Sequence, residues 1–197
     1  TPYKHIQHAH DLATAGASIY VMPGTYQENL TLTTKVALIS TQGIDSTIID
    51  GQNLGNVITA TGLDTLTITG FEIINGDNNG IYTIDCNFLH FNNLKVQNIA
   101  NDGIRMENSS KVEITDIIVD TNLKGFLFEN VDSTFINTLT ATNSSQEVLN
   151  TFGACTYLEI KNSSIKNSNK ALSLNSIDVT IQNSEIKNNT YGFNFQP

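Results

Sequence analysis

Arg105 is the only arginine in this chain of 197 residues, and it stands two positions before Glu107. Tyr82 lies 23 residues before Arg105, and Glu129 lies 22 residues after Glu107. If those intervals are one turn of a repeating structure, the four side chains share a surface: a phenol, a guanidinium and two stacked carboxylates. Such a set can hold a sugar, or do acid–base work if one carboxyl has a raised pKa. It is equally a solvated charge cluster in which Arg105 offsets two glutamates, an arrangement that contributes little. Tyr82, Arg105, Glu107 and Glu129 are therefore the candidate binding residues, and the sequence nominates no catalytic residue.

The other chemistry-bearing residues point to structure. His5, His8 and His10 carry metal-binding side chains, but helical spacing spreads them around the axis, and no Cys or acidic partner is fixed nearby. His90, between Leu89 and Phe91, is expected to face outward from a sheet. Cys86 and Cys155 fall three repeats apart, roughly 14 Å at the spacing of stacked strands, too far for a disulfide. They read as free thiols, compatible with either redox compartment. Asn29-Leu30-Thr31 and Asn108-Ser109-Ser110 match the glycosylation acceptor pattern, which an Asn/Ser/Thr-rich chain produces by composition alone. No Gly-rich phosphate loop or redox Cys pair is present, and neither cofactor nor metal is expected.

Placing these residues requires a repeat, and the chain has one. With Ile114 as anchor, its counterparts are Ile68, Phe91, Ile136, Ile160 and Ile181, at intervals of 23, 23, 22, 24 and 21 residues. Two residues further on lie Gly70, Asn93, Asp116, Thr138, Asn162 and Asn183. Five beyond those lie Asn75, Asn98, Thr121, Asn143, Asn167 and Asn188. Between these columns sit Ile73, Val96, Val119, Ala141, Ile165 and Ile186. Upstream, a strand opens at Ile81, Ile104, Phe126, Val148, Leu172 and Phe193. Short apolar alternations between polar bends read as three strands per copy.

No copy has room for a helix, which excludes leucine-rich repeats, and the period does not divide by six, which excludes the left-handed hexapeptide helix. The expected fold is all-β, a parallel β-helix with three strands per coil, right-handed by the chirality of parallel crossovers. Stacked Ile and Val columns form its core, and the Asn columns occupy bends, where amides ladder from coil to coil and tolerate left-handed backbone. Pro2 to Ala15 reads as a helix with Ile6, Ala9, Leu12 and Ala13 on one face, ended by Gly16 and capping the first coil. Ile19–Met22 is expected as a strand, Pro23-Gly24-Thr25-Tyr26 as a turn, and Leu30–Leu32, Val36–Leu38 and Ile48–Asp50 as further strands. The whole, 1–197, is expected as one domain: capping helix 1–16, first coils 17–55 and regular coils 56–197. A seventh copy begins at Tyr191, so the coils are expected to continue past Pro197, or to be covered there, within a larger chain or assembly.

Composition narrows the function. Only 15% of residues are charged, while Asn alone supplies 25, so solubility rests on uncharged polar groups. A net charge of −9 with a single arginine leaves no phosphate-binding face and argues against nucleic acid. An anionic polysaccharide would be repelled unless metal ions or a local basic patch intervened. No apolar run approaches membrane-spanning length.

The opening Tyr3-Lys4-His5-Ile6-Gln7 to Ala13, then Ile19-Tyr20-Val21-Met22-Pro23-Gly24-Thr25-Tyr26-Gln27-Glu28, then Thr47-Ile48-Ile49-Asp50-Gly51, resembles that of pectin lyase-like right-handed β-helix proteins. Secreted bacterial surface proteins share it. The resemblance covers essentially the whole chain and implies the fold, which hosts lyases, hydrolases, epimerases, adhesins and phage spikes. Calcium-dependent pectate lyases need clustered Asp residues and a proton-abstracting base; polygalacturonase-like members use Asn-Thr-Asp, Asp-Asp and Gly-His-Gly. This chain has no adjacent Asp pair, no His-Gly step and no Arg-Ile-Lys run. The resulting expectation is a noncatalytic extracellular or cell-surface module, a rigid structural or adhesive element whose partners are polysaccharide or other surface proteins. The alternative is a polysaccharide-active enzyme (lyase, hydrolase or epimerase) with a groove on the outer sheet near Arg105.

Overall fold

The computed structural model describes residues 2–175 and 178–196; Thr1 and Pro197, the ends of the expected span, and residues 176–177 lie outside them. Among the described residues every strand pairing is parallel, and the strands form a long sheet of 13 and a short sheet of 8. One coil shows the plan. The strand Ile81–Ile84 lies in the short sheet, and the chain turns at Asp85 into Asn87–Gln97 of the long sheet. Asn93, at φ 49°, divides that strand into two limbs, so the coil has three.

The columns expected from the repeat are the paired columns of the structure. Ile68, Phe91, Ile114, Ile136, Ile160 and Ile181 stand in register, and the line extends back through Leu38 to Ile19. Ile73 to Ile186 forms a second line, extended back through Ile49. Both Asn-rich columns have left-handed backbone throughout, from Gly70 to Asn183 and from Asn75 to Asn188. Asn pays little for φ > 0, which is why it recurs there. A third such column, Asp85–Asn108–Asn130, carries an amide ladder: Asn108 Nδ2 donates to Asp85 and Asn130 Nδ2 to Asn108, each at 3.1 Å. Inside, Phe71, Phe91, Phe126 and Phe128 are buried among the aliphatic lines.

Three expectations are corrected. The helix spans Ile6–Asp11 only, with Leu12 exposed and His10 buried in its place. It begins at Ile6 because the Glu28 carboxylate accepts the N–H groups of Ile6 and Gln7, at 3.0 and 2.9 Å. It turns His10 inward because Nε2 accepts the backbone N–H groups of Thr33 and Thr34, both at 3.2 Å. The Pro-Gly segment is not a free turn: Gly24–Gln27 is a strand that pairs with Thr47–Asp50, so the ladder overrides the turn signal. Finally, Leu149, not Val148, pairs with Phe126 and Leu172. Val148 falls one position earlier, in the column of Gly80, Gly103 and Gly125, where backbones of successive coils approach closely.

Candidate functional site

In the strand Asp102–Glu107, Ile104 and Met106 are buried, so Arg105 and Glu107 project from the short sheet. The register sets Tyr82 beside Arg105 and Glu129 beside Glu107, and the four side chains meet. Arg105 Nε donates to Glu107 Oε1 at 2.6 Å, and Nη2 lies 3.5 Å from Glu129 Oε2. The Tyr82 hydroxyl donates to the other Glu107 oxygen at 3.0 Å. Burial, then the Glu107 hydrogen bond, push the Tyr82 phenol above its usual pKa. The cluster is thus internally bonded and half-buried rather than loosely solvated.

Beneath it lies a residue that the sequence reading missed. Asp102 is fully buried, and neither carboxylate oxygen has a hydrogen-bond partner. Arg105 Nη1 and Lys124 Nζ each stand 3.9 Å away. Burial raises the Asp102 carboxyl, Lys124 and Arg105 oppose the rise, and Glu147 adds to it. Alternation with Ile104 and Met106 turns position 102 inward, but the sequence carries no signal that the carboxylate there is left without a hydrogen-bond partner.

The long sheet presents a second outward face. His90 faces outward as expected and is half-buried, with Nδ1 3.0 Å from Glu113 Oε2. Lys111 Nζ lies over the Phe88 ring at 4.3 Å from its centroid. Two coils beyond His90 in the same column is Phe135, whose ring meets that of Tyr157 at 5.6 Å. Phe88 and Phe135 are both exposed. Here the signal was in the sequence: large aromatics at outward positions of the repeat, among columns otherwise filled with Thr, Asn and charge.

The histidine group at the start has acidic neighbours, against expectation: His5 Nδ1 is 3.3 Å from Glu28, and His10 Nδ1 is 3.4 Å from Asp11. Among the described residues, no three His, Cys, Asp or Glu side chains are placed to hold a metal. Cys86 and Cys155 are buried free thiols, raised by burial. No described helix is long and apolar enough to cross a membrane.

Residues 45–196 match the family model described as a right handed beta helix region. The chain belongs to this family. Its winding is therefore right-handed, and its fold is that of pectin lyase-like β-helices. Among curated proteins, none matches the chain. Solved structures that share the β-helix include the pectin methylesterase from Aspergillus niger, at 15% identity and a TM-score of 0.58, covering 98% of this chain and 82% of that one. The alginate lyase from Paenibacillus sp. is similar at 12% identity and a TM-score of 0.54, with 98% and 96% covered. Pectin methylesterase PemA from Erwinia chrysanthemi is similar at 13% identity and a TM-score of 0.54, with 90% and 76% covered. At these identities the likeness is one of fold.

Proposed function

We propose that this chain is a noncatalytic β-helix module that works outside the cell as a rigid element and contacts glycans with the outward rows of its sheets. The observation that carries the reading is the closed state of the Arg105 cluster. The guanidinium is engaged by Glu107 and Glu129, and Glu107 is engaged again by Tyr82. Side chains that already satisfy one another hold adjacent coils together and lose those bonds if they turn to a substrate. Glycan contact is supported by the polysaccharide-acting proteins that share the fold.

The rival reading, a polysaccharide-active enzyme, draws on Asp102. A buried carboxyl with a raised pKa beside an arginine is the environment of many general acids. The two readings separate in one set of assays on pectate, methyl-esterified pectin and alginate, each with and without calcium. We expect no product from any of them. Turnover that disappears in Arg105→Ala or Asp102→Asn, with the far-UV spectrum unchanged, would establish the enzyme instead.

A further inference from the structure

Phe88 is a bulky residue at φ 49°, in a corner column where Lys111 and Ser133 also have left-handed backbone. A large side chain at φ > 0 is strained, and elsewhere in this chain such corners are mostly Asn, Asp or Gly. Core packing does not account for the choice, because 43% of Phe88 is exposed. The strained backbone instead turns an aromatic ring out of the long sheet, with Lys111 over it. Three coils further along that column is Tyr157, paired with the exposed ring of Phe135. Beside Phe88, on its own coil and the next, lies a shallow recess of about 270 Å³ edged by His90, Asn92, Glu113 and Thr115.

The geometry points to this strip, Phe88 to Tyr157, as a docking site for an uncharged polysaccharide lying along the axis of the β-helix. It rests on the glycan-contact reading above and places the contact on the long sheet, away from the closed Arg105 cluster. Three features select the occupant. The rings are separated by three coil steps, about 14 Å, so the partner must be extended along the axis. Their faces are negative and apolar, suited to the C–H face of a pyranose, while the recess offers imidazole, amide, carboxylate and hydroxyl groups to sugar hydroxyls. The charges are matched locally: Lys111 acts on the Asp132 carboxylate, and the His90–Glu113 and Lys161–Glu159 pairs are closed at 3.0 and 2.8 Å. On a chain of net charge −9, such a neutral strip matches neither a polyanion nor a basic peptide.

The test is affinity electrophoresis of the intact protein through gels holding galactomannan, xyloglucan or dextran, with pectate and alginate as anionic controls. We expect retardation by at least one neutral polymer, weakened roughly tenfold or more in Phe88→Asn and in Phe135→Ala, and unchanged in Arg105→Ala. Phe88→Asn guards against a trivial loss by unfolding, because Asn relieves the left-handed strain and is expected to melt no lower than the parent. Retardation by the anionic gels alone, or by none, overturns the proposal. Neutral retardation that survives both aromatic substitutions also overturns it, while leaving the noncatalytic glycan-contact reading intact. Depolymerisation of the gel would sink that reading and not the location of the strip.

Discussion

At Asp102 the chain holds a carboxylate whose two oxygens lack hydrogen-bond partners, with Glu147 close enough to repel its charge. Burial outweighs Lys124 and Arg105, so the folded pKa lies above the unfolded one. A raised carboxyl binds its proton more tightly when folded, so it costs nothing below the unfolded pKa. The cost grows as pH rises through the folded pKa and is constant above it. Asp102→Asn removes that titration at nearly constant shape. Its urea midpoint relative to the parent is expected to rise as pH climbs above the ordinary carboxylate value, near ~4, and to level off once the folded carboxyl is ionised. A difference independent of pH would show that Lys124 and Arg105 cancel the effect of burial, and one that falls that they outweigh it. Tyr82, Arg105, Glu107 and Glu129 were legible as neighbours because strand alternation and the 22–23-residue interval determine both face and rung. Asp102 was not: alternation turns it inward, but the lack of hydrogen-bond partners there depends on how the coils pack.

Corners are also where the elements are decided. Strand interiors follow from alternation, and the Ile114 column needed no correction along its length. The slip at Val148 arose because one coil places Val where the three coils before it place Gly, and hydrophobicity alone cannot separate a core position from a close-approach position. Space decides it: a Cβ on Gly103 would stand 2.8 Å from Gly125 O. Asn108 tests the other corner rule. Its φ of 48° and its amide bonds to Asp85 and from Asn130 are separate contributions. Asn108→Ala loses both and is expected to cost about 1–3 kcal/mol in urea unfolding. Asn108→Gly keeps the backbone freedom and loses only the ladder, so it is expected to cost less. Equal costs would mean that the left-handed backbone carries no penalty at this corner.

At the scale of the molecule, a stack of coils is stable only as far as its ends are closed, since each coil contacts its neighbours and little else. Here the first coils are closed by a helix of only six residues, far too short to hold itself together. Two side chains hold it instead. Glu28 bonds its first two N–H groups, and buried His10 bonds the N–H groups of Thr33 and Thr34. A helix was legible in the sequence, but these fastenings were not, since they join residues 21 to 24 positions apart in a segment with no repeat. Beside the helix, Tyr3, Leu12, Tyr20 and Met22 edge an apolar groove of about 450 Å³, so the cap has little packing in reserve. His10→Ala removes the acceptor of the Thr33 and Thr34 N–H groups and, combined with Glu28→Ala, should release the helix. Hydrogen exchange is then expected to accelerate in Ala17–Val21 and Leu30–Leu32, while the coils from Asn87 to Phe152 keep their protection. Loss of protection spread evenly along the axis would mean that the stack opens as a single unit, and that its cap is an ornament on a cooperative core rather than the latch of its first coils.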